Sequence, residues 1–234
     1  DPATDRWRTL PPAPLVGRVP FTAAWTGQEF VIVGTRGYGR SSGVTDAAAY
    51  DPATDRWRTL PPVPVELNEG AGAFTGRELV VYGAYLDRDR RPVTIDDRAR
   101  GAALDVTVGR WRTLPDAPLS GQALALAWDG RDIVSWDYEL DSAALDPAAA
   151  EWERLPGVPL ERRDCLPAGV AAGRVVFAQH CGQAAVFDPV RRSWTPVPSP
   201  RGAAEPPVFT GQALVHWLGP TGRPHDGTWL RPVT

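Results

Sequence analysis

The sequence predicts an all-β domain built from repeated four-stranded antiparallel units, and three observations predict it. The twelve residues DPATDRWRTLPP occur twice without a change, at 1–12 and 51–62, and degraded copies follow at 104–118, 145–159 and 187–200. Between successive copies an apolar run, a glycine turn and a second apolar run recur. No segment carries an apolar stripe at helical period.

Each copy reads as a hairpin. In the second, Asp51 is placed to accept backbone N–H groups ahead of it, Pro52 pre-sets φ for the first corner of a tight turn, and Thr54 and Asp55 keep the turn polar. Tyr50, Leu104, Leu145 and Phe187 end the apolar run before the turn, and Trp57, Trp111, Trp152 and Trp194 open the run after it. That predicts a buried aromatic on the second strand of each hairpin. Leu-Pro-x-x-Pro then stops the strand, because proline has no N–H to give a ladder.

The other hairpins fall at 21–34, 71–83, 125–136, 168–180 and 207–217. An aromatic stands two residues before the turn glycine in four of them, as Trp25, Phe74, Trp128 and Phe209; Ala171 is the exception. The tryptophan markers Trp7, Trp57, Trp111, Trp152 and Trp194 are 41 to 54 residues apart, close to the period of propeller blades, about 40 to 50 residues. The fold class expected is therefore a β-propeller of four-stranded antiparallel blades in a single domain over 1–234. The blades are expected at about 18–60, 71–114, 122–155, 166–197 and 206–234, with a lone strand at 6–10. Pairing of that strand with the last blade closes a five-bladed ring without an open edge; the alternative is a piece of a six-bladed one.

Residues 76–83, a glycine turn and an apolar strand ending in glycine, and 50–57, Tyr-Asp-Pro-x-Thr followed by a Trp, resemble the kelch repeat of β-propellers. The likeness extends over the whole chain, although the paired glycines of that repeat are degraded to Gly34-Thr35, Gly83-Ala84 and Ser135-Trp136. The resemblance implies recognition by loops on a rigid ring. By analogy with galactose oxidase or the sialic-acid mutarotases it also leaves open a carbohydrate-acting enzyme, with Glu66, Glu69, Asp164 or His180 as acid or base. A structural domain of a larger chain is a third reading.

Composition narrows the chemistry. The 25 basic residues are all arginine and methionine is absent, a bacterial-like bias that excludes Schiff-base lysine chemistry and a Walker-type phosphate loop. A net charge of -3 gives no basic field for general nucleic-acid binding. No apolar run is long enough to span a membrane as a helix. A start without Met and inside a repeat reads as a processed or excised piece, so that any signal peptide would lie upstream.

Cys165 and Cys181 flank the hairpin turning near Gly173, and a turn centred there sets them opposite each other. A disulfide between them implies an extracellular or cell-surface location. Two cysteines make neither a zinc site nor a redox motif, and the three histidines, His180, His216 and His225, match no metal-ligand pattern, so neither cofactor nor metal is expected. The candidate binding face collects the loops after the second strand of each blade and the links between blades: Arg18, Arg36, Tyr38, Arg40, Glu66, Asn68, Glu69, Tyr85, Tyr138, Arg163 and His180. Variable loops on a rigid scaffold are where binding resides, and tyrosine with arginine is the composition of interface hot spots. The partner expected is a protein or a glycan.

Overall fold

The computed structural model describes residues 7–15, 19–35, 45–67, 70–84, 98–121, 123–163, 166–172, 175–180, 182–198, 208–209, 214–216 and 228–230. Its regular structure is all β, in five antiparallel sheets. The first holds β1 (Val19–Trp25), β2 (Phe30–Thr35), β3 (Thr45–Asp51) and β4 (Arg56–Thr59), and the second β5 (Gly70–Phe74), β6 (Glu78–Gly83), β7 (Arg100–Asp105) and β8 (Arg110–Leu114). The third comprises β9 (Ala125–Trp128), β10 (Ile133–Trp136), β11 (Ser142–Asp146) and β12 (Glu151–Leu155). The fourth comprises β13 (Ala168–Ala172), β14 (Val175–His180), β15 (Gln183–Asp188) and β16 (Ser193–Val197), and the fifth β17 (Val208–Phe209), β18 (Leu214–His216) and β19 (Thr228–Leu230). Strands follow chain order across every sheet. The first strands touch one another in sequence, β1 with β5, β5 with β9, β9 with β13 and β13 with β17, so they line a common axis.

Two turn devices make these hairpins. Between the first and second strands, Thr26 and Thr75 each accept the N–H three residues on, at Glu29 and Glu78, with Gly27 and Gly76 at φ 97° and 90°. Only glycine enters that region without steric cost. Between the third and fourth strands, the aspartate does what its sequence predicts. Asp51 Oδ1 takes the N–H of Ala53, Asp105 Oδ1 that of Thr107, Asp146 Oδ1 that of Ala148 and Asp188 Oδ1 that of Val190. The Thr54 hydroxyl on Asp51, the Ala149 N–H on Asp146 and the Arg191 N–H on Asp188 add to these bonds, and together such donors hold all four carboxylates below the usual aspartate pKa.

The core lies between sheets. The period-two alternation of β6 sends Leu79 and Val81 against Val31 and Val33 of the first sheet, and Val80 and Tyr82 against Ile133 and Leu145 of the third. Val134 and Trp136 in turn meet Val176 and Phe187 of the fourth. A strand buried on both faces explains why ELVVYG is apolar almost throughout. Gly169 completes the fit, since a Cβ there would lie 2.2 Å from the Trp136 ring.

The repeated tryptophans were expected to be buried, and only Trp194 is; Trp57, Trp111 and Trp152 are half-buried. They lie on the outermost strands, one face of which meets solvent, and their indole N–H groups have a different use. Trp57 donates to the carbonyl of Pro11, Trp111 to Pro61 and Trp152 to Pro115, each the first proline after the leucine of the preceding copy. Trp194 reaches the equivalent Pro156 through a hydroxyl: its N–H donates to Ser142 Oγ, which donates to the Pro156 carbonyl. The repeat motif thus ties each unit to the link that enters it.

Cys165 and Cys181 lie outside the described residues. The β13–β14 ladder nonetheless sets Ala168 opposite Gln179 and Ala172 opposite Val175. That register is one step out of phase with a turn centred on Gly173. The lone strand expected at 6–10 has no strand pairing over its described part, 7–10, and the fifth sheet has three strands among the described residues.

Candidate functional site

Second strands end and first strands begin at one end of the axis, where the loop 137–141 and the link 156–163 lie. Arg18, Arg36, Tyr38, Arg40, Asn68, Glu69 and Tyr85 lie outside the described residues. Glu66 is exposed beside the buried Leu67, whose N–H and carbonyl both bond Thr45 Oγ1. His180 ends β14 opposite Gln183. Tyr138 lies on the loop after β10 of the third sheet and Arg163 on the link after β12, each with partners of its own.

There β10 turns into β11 through 137–141. Asp137 is 1% exposed, and its carboxylate works as a clamp. Oδ1 accepts the N–H groups of Glu139 at 3.0 Å and Asp141 at 3.1 Å, and Oδ2 accepts that of Ser120, on the incoming link, at 3.0 Å. Burial raises the Asp137 pKa and Asp141 adds to the rise, while the three amides oppose it. The clamp fixes the loop that presents Tyr138 and Glu139.

The outgoing link supplies the partner. Arg162 lies with its guanidinium carbon 5.3 Å from the centre of the Tyr138 ring, and its Nη1 is 2.6 Å from Glu139 Oε2. Arg163 pairs with Glu161 at 2.7 Å, and Glu161 exchanges two backbone bonds with the Gln183 side chain of the fourth sheet. The result is a half-exposed aromatic–arginine platform whose two sides, loop and link, are anchored separately. The sequence marks Tyr138 and Arg163 as candidates. Asp137 lacks the following proline that helps identify Asp51 as a turn former, so its clamping role carries no mark in the sequence.

No family model matches the chain, and neither does any curated protein. Among solved structures, that of YjhT superposes with a TM-score of 0.64 at 11% identity, over 90% of this chain and 80% of that one. This chain is a β-propeller. At that identity the likeness is one of fold, and the five sheets are its blades. The platform therefore sits on the propeller's loop face, between the exit of blade 3 and the entry of blade 4.

Chemically, the clamp and the platform have separate roles. The Asp137 carboxylate is occupied by amides and positions a loop. Tyr138 and Arg162 present a flat apolar face and N–H donors in a fixed arrangement, which suits recognition of a surface.

Proposed function

We propose that this protein is a kelch-like propeller that works by binding, taking a protein or glycan on its loop face. The Tyr138–Arg162–Glu139 platform carries the reading. A tyrosine under an arginine that is already ion-paired to Glu139 gives up little side-chain freedom on association, as does the arginine, which favours tight contact. The kelch reading is supported by the repeat motif and the propeller fold together, and the extracellular or cell-surface setting by the pair Cys165 and Cys181 in the sequence alone.

The test compares wild type with a Tyr138→Ala, Arg162→Ala variant of equal melting temperature, on a glycan array and by crosslinking to surface proteins of the source cells. The expected result is one partner class retained by wild type and reduced at least tenfold in the variant. Equal retention by both removes the platform from the binding site. Consumption of an arrayed sugar by the wild type would replace the binding reading with the enzymatic one.

A further inference from the structure

At the opposite end of the axis from the loop face, an open pocket of about 390 Å³ lies along β5, β9 and β13. Phe74, Trp128, Ala127, Val170 and Ala171 are among its lining residues, and none of the nine residues that line it ionises. The volume is within the range of small-ligand sites, about 300 to 1,000 Å³.

The repeat explains why the cavity is there. It places an aromatic two residues before the first turn glycine, and in blades 2 and 3 that ring packs at the seam with the preceding blade, whereas Trp25 of blade 1 is 53% exposed. Phe74 fills that place between blades 1 and 2, packed on the cluster of Val31, Val33 and Leu79. Trp128 fills it between blades 2 and 3, against Val80, Tyr82 and Ile133. Between blades 3 and 4 the position is Ala171, packed on the cluster that includes Ala127 and Val176. Of the three equivalent positions on this pocket, Phe74, Trp128 and Ala171, only Ala171 carries no ring.

We propose that this cavity is a binding site for one neutral aromatic ring of phenol to indole size, which occupies at the blade 3–blade 4 seam the place that the repeat fills elsewhere with its own side chain. Trp128 and Phe74 offer edges and faces to an aromatic guest for offset or T-shaped contact. The innermost strands are sheet edges, so backbone N–H and C=O groups on their free sides serve a phenol hydroxyl or indole N–H. A charged ring would enter without a counter-ion, at high desolvation cost. This inference stands independently of the loop-face reading.

Fluorine NMR titration of the whole chain with 4-fluorophenol and 5-fluoroindole tests it, with 4-fluorobenzoate as the charged counterpart. The neutral probes should bind saturably at one site per chain, and 4-fluorobenzoate at least tenfold more weakly. Ala171→Phe, which restores the repeat's own ring, should weaken neutral-probe binding at least tenfold while keeping or raising the melting temperature. Trp128→Leu should weaken it comparably from the facing wall, and decides the matter if the first variant does not fold. Absence of saturable binding to wild type, benzoate binding as tight as phenol, or undiminished affinity in a folded variant overturns the proposal.

Discussion

Residues 1–12 and 51–62 are one sequence in two places, and they behave differently. In the inner copy, Arg56–Thr59 form β4, Trp57 stands opposite Tyr50 with ring centres 5.2 Å apart, and Leu60 is 4% exposed. In the N-terminal copy, described from residue 7 onward, there is no strand pairing over 7–10; Trp7 is 97% exposed and Leu10 41%. Arg58 makes a bidentate bond to Glu29 within its own blade, whereas Arg8 reaches across to Tyr50 and Asp55 of blade 1. Yet both copies end alike, with the Pro11 and Pro61 carbonyls each accepting the indole N–H of the next blade. The strand therefore depends on a third strand already present beside it. The link depends only on the blade that follows.

The largest effect expected from breaking this contrast is at the tryptophans. Trp194 is buried, with Phe187 and Trp136 rings at 5.0 and 5.5 Å, and Trp194→Ala should cost about 3 to 5 kcal/mol. Trp57→Ala, at the half-buried rim, should cost about 1 to 3 kcal/mol, and Trp7→Ala no more than about 0.5 kcal/mol. Denaturant midpoints of the three variants measure the series. A loss for Trp7→Ala equal to that for Trp57→Ala would mean that the N-terminal copy pairs as a strand in solution, which is the ring closure expected from the repeat count.

The same contrast explains what could be read in advance. The hairpins, the Asp turns and the glycine turns are local devices, so a single copy of the motif displays them. The indole bonds of Trp57, Trp111 and Trp152 end on backbone carbonyls of another repeat, and because no residue type marks such an acceptor, a tryptophan in the motif reads as core. Tyr138 was legible as a loop aromatic, but its pairing with Arg162 joins a loop to a link 24 residues away and needs the blade geometry. The β13–β14 register is one step out of phase with the turn centred on Gly173 that the sequence predicts. Ala171 stood out in the sequence as an exception; only the packing of Phe74 and Trp128 shows what it leaves open.

A smaller effect sharpens the comparison within the turns. The inner copy's Asp55 has φ 57°, and its counterparts four residues after each turn aspartate, Gly109, Ala150 and Arg192, have 66°, 55° and 55°. One of the four is glycine. Ala150→Gly should stabilise the chain by about 0.5 to 1 kcal/mol, and Gly109→Ala should cost about as much. A Cβ at Gly109 meets nothing within 4 Å, so that cost is the backbone's alone. Destabilisation by Ala150→Gly would mean that the turn leaves the left-handed region in solution.

The smallest effect concerns the contact that the N-terminal arginine makes and its inner twin does not. Asp55 sits below its ordinary pKa because the Tyr50 hydroxyl donates to it and, second, because Arg8 does. A carboxylate depressed in the folded state contributes stability above its unfolded value of about 3.9 and loses that contribution as pH falls through the folded value. Arg8→Ala should therefore raise the Asp55 pKa part of the way back, since Tyr50 remains, and the carboxyl carbon shift in an NMR titration reads this directly. The pair is exposed to solvent on both sides, so salt weakens it. The melting-temperature gap between wild type and variant should be small at pH 7, smaller in high salt, and closed at pH 2. A gap that persists at pH 2 would mean that Arg8 holds the N-terminal copy against blade 1 by packing its stem on Tyr50, and that the copy is anchored there independently of charge.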